Sequence, residues 1–500
     1  MRAITMSSNN HHEYLVLQEK RSLYGMRGLE AYASSHPSDP SCLCKCPSTY
    51  TPHKNIFAIG ATDLEHKFAA IFEDKLHDNI VSGIQATLPD CDWGLNVLRL
   101  GFDLECLENP ITIHIVVADE ALSEDAACNI VLVILEVIAA AGLDSSEMKS
   151  IHVDVCRASR SDIDSCSVLD RNPEVYNSTA RLPYSSIGPA QINSVGTLSG
   201  YIQHRDKDGR TTVYALTCRH VIDPDGILGN KPYVEDSGHP KQQVTCPATS
   251  DHKTTIQEIN TKITTLQWAT EFRNDINTTR EITTLDQALK NAMQYNIDLG
   301  HIYATSGLGR LLPQFQGRSD WAVMSVTNPA ISAGNKHVRT LGSFVSFDHP
   351  PIAQVDNDFR YAATKHFNLG PYFKPVRDDD LTPGELVFKP RSRTTNKWVG
   401  GTFNAIRSTQ KTKGRSSATR ELCLIALNPQ GFMSAKGDSG SIIVDRDFRP
   451  VAIIWGGDTH YFATGPKDVT YASPLSKTLR DIESCLQWAE GSVSLALDES

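Results

Sequence analysis

Apolar runs of strand length, each closed by polar or glycine-rich residues, dominate the second half of the chain. Val213 to Leu216 leads through Thr217-Cys218 and halts at Arg219-His220-Val221, and Ser319-Asp320 opens the run Trp321-Ala322-Val323-Met324. Leu422 to Leu427 and Ser441-Ile442-Ile443-Val444 flank the tetrad Gly437-Asp438-Ser439-Gly440, and Val451 to Trp455 follows, ending at Gly456-Gly457. Runs of this length between turn residues predict β-strands. A further strand, Val469 to Leu475, leads into a predicted helix from Ser476 to about Ala489, with residues 486–500 as a tail.

The period changes between residues 252 and 297. Ile256, Ile259, Ile263 and Leu266, then Ile282, Leu285 and Leu289, recur at helical spacings. Two helices joined near Asn274 to Thr279 are predicted as a hairpin inserted among the strands. The first half reads differently again. Residues 1–55 are rich in Ser, His, Pro and Asn and predict a loosely ordered tail. Residues 56–158 predict a small α/β or α+β domain: an amphipathic stretch at 63–87, a strand at Ile111–Ala118, a helix from Ser123 to Ala141, and a strand at Ile151–Cys156. Ser123 is a good N-cap and Gly142 a good stop. A polar linker over 159–190 joins it to a domain over 191–485.

Composition narrows the class. The chain has 500 residues, 40% hydrophobic and 21% charged, with a formal net charge of −10. That size predicts several domains, and the acidic balance argues against non-specific binding to nucleic acid or acidic membranes. The start of the chain lacks the apolar core of a secretory signal, and the greasiest run, Ile130 to Leu143, carries Glu136 and is too short to span a bilayer. Twelve cysteines in no even framework predict reduced thiols and an intracellular, cytoplasmic protein. Cys42-Leu43-Cys44-Lys45-Cys46 has no matching Cys or His pair at zinc spacing, so no metal and no cofactor is expected. The run from Lys389 to Arg420 is basic without an acid and predicts a solvated hairpin.

Candidate chemistry centres on Ser439. A serine hydroxyl attacks a carbonyl only when a base takes its proton and a third group holds that base in the right tautomer. His220, at the end of an apolar run, is the candidate base. Asp320, heading another, is the candidate orienter. Asp223 and Asp225 lie too close to His220 along the chain to approach from another strand, and Asp298 is read in a helix-like stretch.

The order His220, Asp320, Ser439, with Leu216-Thr217 before the histidine and Gly437-Asp438-Ser439-Gly440 around the serine, resembles the chymotrypsin-like serine peptidases. The likeness covers about the last 300 residues. Leu386-Val387-Phe388-Lys389, Arg393-Thr394-Thr395 and Gly400-Gly401-Thr402 look most like the intracellular trypsin-like domains of fungi and bacteria, with Asn396 where those have glycine. The resemblance implies a C-terminal double β-barrel and a serine endopeptidase. In that scheme His220 is the general base, Asp320 its orienter and Ser439 the nucleophile. The N–H groups of Gly437 and Ser439 form an oxyanion hole, each donor worth about 3 kcal/mol. Ile454-Trp455-Gly456 resembles the substrate-pairing strand, and Met433 falls at the base of the specificity pocket, which implies an apolar or medium-sized preferred residue.

The chain departs from the family at further positions, among them Ser441, which replaces the commoner second glycine. Val221 stands where secreted members have a cysteine after the histidine. No Ile-Val-Gly-Gly-like terminus precedes the barrels to pair with Asp438; Ile187-Gly188 is the nearest fragment and Arg181-Leu182 a conceivable cut site. Asp438 therefore finds another cation or awaits cleavage. The expected partner is a protein or peptide substrate, with the helical arm at 252–297 or the N-terminal domain as surfaces for a protein partner. Two alternatives stay open: a self-processing regulatory peptidase cutting within 157–190, and a catalytically silent barrel used as a binding module.

Overall fold

A computed structural model of the chain describes residues 2–4, 14–16, 29–34, 55–101, 106–117, 122–142, 151–158, 176, 184–235, 241–272, 276–327, 376–377, 380–390, 392–393, 398–412, 417–427, 433–458 and 469–496. Cys42 to Cys46, the Arg181-Leu182 bond and most of the predicted linker lie outside them.

Residues 55–158 build a sheet with helices on one face. Trp93–Gly101 and Ile111–Val117 pair antiparallel, and Ile111–Val117 and Ile151–Ala158 run parallel, joined across the helix Glu124–Ala140. Ser123 caps that helix through its hydroxyl, as its sequence position predicts. The amphipathic 63–87 stretch is two helices, Asp63–Ile71 and His77–Thr87, separated by a π-turn at Phe72–Leu76. Thr62 and Glu65 form a capping box at its start, and the fully buried Glu65 also accepts from the N–H groups of Gly60 and Ala61. Phe72, Leu76, Ile80, Ile84, Ile130 and Ile134 share one core with Leu95, Val97, Ile113 and Val155 of the sheet. Leu29–Ser34, within the stretch expected to be loose, pairs with Ile151–Ala158.

The rest is α+β, with a closed six-stranded barrel beside an open half-barrel, consistent with a double-barrel plan. The closed barrel runs through Leu386–Lys389, Val399–Phe403, Thr419–Ala426, Val469–Pro474, Pro450–Asp458 and Ile442–Val444, and returns to Leu386–Lys389. The half-barrel orders Gly200–Arg205, Thr211–Thr217, Ala322–Val326, Asp298–Thr305, Gln243–Thr245 and Ser186–Pro189. Helices Thr249–Phe272 and Ile276–Gln294 form the inserted hairpin, with Ile259 and Ile263 of the first helix buried.

Three expectations need correction. Asp298 begins a strand rather than ending a helical stretch, because the helical pattern stops at Gln294 and Leu299 and Ile302 face the half-barrel core. Residues 486–500 are not simply a tail: the helix Leu475–Leu486 ends in a left-handed Gln487, and Val493–Leu495 adds a strand to the half-barrel at His204 to Ile202. The basic 389–420 stretch is not a solvated hairpin either. Lys389, Lys411 and Arg420 are buried, and Ser408–Lys411 pairs with Trp93–Leu95 on one side and Thr419–Glu421 on the other. One hydrogen-bonded sheet therefore runs from the N-terminal region into the closed barrel. Asn404 reinforces the junction: its amide accepts from Ile59 N–H at 2.8 Å and donates to the Val97 carbonyl at 3.0 Å.

Candidate active site

The three candidate residues meet where the barrels face one another. Thr211–Thr217 and Ala322–Val326 are antiparallel neighbours, with Thr217 opposite Ala322, so the end of one run lies beside the start of the other. That register places His220, on the short helix Arg219–Ile222, next to Asp320. The carboxylate grips the histidine twice: Asp320 Oδ1 accepts from the His220 backbone N–H at 3.0 Å, and Oδ2 lies 2.5 Å from the ring Nδ1. The other ring nitrogen, Nε2, is 2.9 Å from Ser439 Oγ. With Nδ1–H donated to the carboxylate, Nε2 is left as the acceptor for the serine hydroxyl. The hydroxyl oxygen also lies 3.3 Å from the Trp455 carbonyl.

Asp320 is almost fully buried while its histidine is partly open to solvent. Burial, the largest influence, pushes the Asp320 carboxyl up. The charges of His220 and Arg318 and the two His220 hydrogen bonds outweigh it and hold the group well below the usual carboxylate range. Arg318 Nε stands 3.8 Å from Asp320 Oδ2, and its guanidinium lies over the Trp455 ring at 4.9 Å. The C-terminal helix braces the same segment. Asp481 accepts from Ser319 Oγ at 2.7 Å and from Trp321 Nε1 at 2.9 Å, on either side of Asp320.

The serine comes from the closed barrel, docked onto the half-barrel by close backbone contact. Thr197 N–H donates to the Ser439 carbonyl and its hydroxyl to the Gly437 carbonyl, both at 2.8 Å. Gly440 has φ +98, and a Cβ there would strike the Thr197 carbonyl and come 2.6 Å from Thr217 Oγ1. Only glycine fits such a turn against a neighbouring strand. Gly440→Ala should displace Ser439 and destabilise the fold by about 2 kcal/mol, a change read as a lowered unfolding midpoint.

Around this centre the other sequence candidates separate. Trp455 and Gly456 lie on Pro450–Asp458 beside the serine, and a Cβ on Gly456 would meet open space. Met433 is fully buried in the closed-barrel core with Val387, Phe403 and Leu424. Asp223 is occupied by Arg219, at 2.6 Å in a buried pair. Cys218, His220 and Asp320 offer donor atoms within 4.8 Å of one another. They are a poor ligand set, since both ring nitrogens of His220 already face Asp320 and Ser439. Burial also pushes the Cys218 thiol well up, and its Sγ lies 3.2 Å from the Ile454 carbonyl as a donor.

Several residues here carried no local signal. Glu421, Asp481, Arg393 and Asp251 each have a partner more than a hundred positions away, and Arg318 reaches Glu421 as well as its neighbour Asp320. Arg393 pairs with Asp251 on the first turn of the helical hairpin, at 2.7 Å, and reaches the Lys436 carbonyl at 3.4 Å. The hairpin is thereby tied to the serine turn.

No protein-family model matches the chain, and no curated protein matches it. Among solved structures it is similar to the Rv3671c protease in its inactive form, with a TM-score of 0.26 and 10% identity over 65% of this chain and 99% of that one. It is also similar to the HtrA-type protease AlgW with a decapeptide, with a TM-score of 0.23 and 12% identity over 59% of this chain and 51% of that one. Likenesses this distant carry no argument about chemistry, which rests on the residues of this chain.

Proposed function

We propose that the chain is a serine endopeptidase of the chymotrypsin-like type. One observation carries the reading: the His220 ring bridges a buried carboxylate at 2.5 Å and a serine hydroxyl at 2.9 Å. His220 Nε2 takes the hydroxyl proton as Ser439 Oγ attacks the scissile carbonyl carbon. Asp320 keeps the ring in that tautomer and stabilises the imidazolium that forms. The backbone N–H groups of Gly437 and Ser439 meet the developing oxyanion, and neither makes another hydrogen bond among the described residues. His220 then gives its proton to the leaving amine. Water, activated by the same nitrogen, releases the acyl group and restores the serine.

The strand carrying Trp455 and Gly456 would pair with the substrate backbone, and the open space at Gly456 suits a side chain entering beside it. An apolar or medium-sized residue at the cleaved position remains our assignment. A protein substrate is the natural partner, with no nucleic acid or membrane required. We place the protein in a reducing, intracellular compartment: the eight described cysteines are free thiols, and no helix among the described residues is long and apolar enough to cross a membrane.

A fluorophosphonate probe tests the mechanism directly, because it bonds covalently only to an activated serine. Labelling that maps to Ser439 and is blocked by Ser439→Ala is the expected result. A correctly folded chain that never labels would instead fit the binding-module alternative.

A further inference from the structure

The resemblance leaves Asp438 in need of a cation, and in the family's secreted members a freshly cut N-terminus supplies it. Here the carboxylate already has one. Lys389, at the end of Leu386–Lys389, places its ammonium against Asp438 Oδ2 as a salt bridge. The two side chains are 0% and 1% exposed. Ser392 Oγ accepts a further bond from the same ammonium at 3.3 Å. Two buried charges so placed neutralise one another, and removing either strands the other in a dry site.

The pair sits under the segment that carries the oxyanion donors. Asp438 Oδ2 also accepts from Ala435 N–H at 2.9 Å, and Asp438 N–H donates to the Ala435 carbonyl at 2.9 Å, closing a turn whose exit is Gly437-Asp438-Ser439. Ser441 N–H donates to the Asp438 carbonyl at 2.8 Å. Orientation of the Asp438 carboxylate therefore sets the direction of the Gly437 and Ser439 N–H groups.

The fragment that might have supplied a new terminus is spent elsewhere. Ile187 is fully buried, opposite Gly196, and Gly188 pairs with Thr245 in the half-barrel. Freeing it would dismantle that edge.

Resting on the peptidase reading, we propose that Lys389 is a positioning residue standing in for a cleavage-generated cation, so that the uncut chain already holds a formed oxyanion hole. The enzyme is then not a zymogen that awaits cutting, and its control must lie elsewhere.

The test uses the full chain, shown by intact mass to be uncleaved, and reads the rate of fluorophosphonate labelling at Ser439 together with kcat and KM on a peptide. Uncut wild type should label. Lys389→Met should slow labelling and lower kcat about 10²-fold or more, the cost of losing an oxyanion donor, with KM little changed. The double variant Lys389→Met/Asp438→Asn buries no charge and keeps an oxygen for Ala435 N–H, so it should recover to within about tenfold of wild type. If Lys389→Met fails to fold, the folded double variant carries the comparison: recovery supports the proposal and silence overturns it. Wild type that labels only after a protease clips it overturns the proposal while leaving the peptidase reading standing, as does a folded Lys389→Met that labels at the wild-type rate. Silence of wild type both before and after clipping overturns both.

Discussion

Replacing Ser439 by alanine should abolish peptide hydrolysis, lowering turnover about 10⁴- to 10⁶-fold, while leaving the fold intact. The variant removes one oxygen, 2.9 Å from His220 Nε2 and 3.3 Å from the Trp455 carbonyl. The turn does not depend on that oxygen. Its backbone is fastened by Thr197 N–H to the Ser439 carbonyl, Gly440 N–H to the Ile454 carbonyl and Ser441 N–H to the Asp438 carbonyl, all at 2.8 Å. The unfolding free energy should therefore move by no more than about 1 kcal/mol, the scale of one net hydrogen bond. A fluorogenic peptide pool, with wild type and variant purified side by side, makes the check. Hydrolysis that survives the substitution would mean that another nucleophile, or another protein, does the cutting.

The second large effect concerns Glu421, buried on Thr419–Ala426 beside Trp455. Its carboxylate accepts from Arg318 N–H at 2.9 Å and from Trp455 Nε1 at 3.0 Å. Burial dominates all the same and pushes its pKa up to about 7, from an ordinary value of 4.5. Between those two values the native chain holds a proton that the unfolded chain has released. Stability therefore falls as pH rises through that window, by roughly 3 kcal/mol in all, and stays lower above it. Glu421→Gln removes the titration. Its own lost acceptor costs the same at every pH, so the informative quantity is the difference between the two proteins. Urea unfolding from pH 4.5 to 8 should show the variant gaining on wild type as pH rises. Parallel curves would mean that Glu421 is ionised throughout and screened by Arg318.

Much of the candidate site was legible because each of its residues punctuates an apolar run. His220 ends one, Asp320 opens another, and Ser439 sits in a glycine turn between two, so strand pairing alone brings them close. The helix after Ser123 and the inserted hairpin were equally plain, since their apolar spacing belongs to helices and nothing else. The strand Trp93–Gly101 was not, because both its faces are buried and it interleaves Asn96 and Arg99 with apolar residues. No alternation marks such a strand. Arg99 is satisfied by Glu65 at 2.5 Å and Asn96 by Ser408 at 2.6 Å, partners that only the fold assembles. Lys389 was hidden in the same way. A lysine closing an apolar run reads as a solvent-facing end, and its burial depends on a carboxylate 49 positions later. Val493–Leu495 is too short to announce itself and becomes a strand only because Gly200–Arg205 offers it an open edge.

The sheet that crosses from Trp93–Leu95 through Ser408–Lys411 into the closed barrel has a practical consequence. The double-barrel part of this chain is not a cassette that can be lifted out. Trimming to residues 191–485 would strip Ser408–Lys411, Gly200–Arg205 and Gln243–Thr245 of one neighbour each, leaving three raw edges of the kind that recruit foreign strands. It would also uncover Ile406, which belongs to the core of the N-terminal helices. Trp93–Gly101 and its neighbours are stitched into the barrel that holds Ser439, so the two parts of the chain stand or fall as one object.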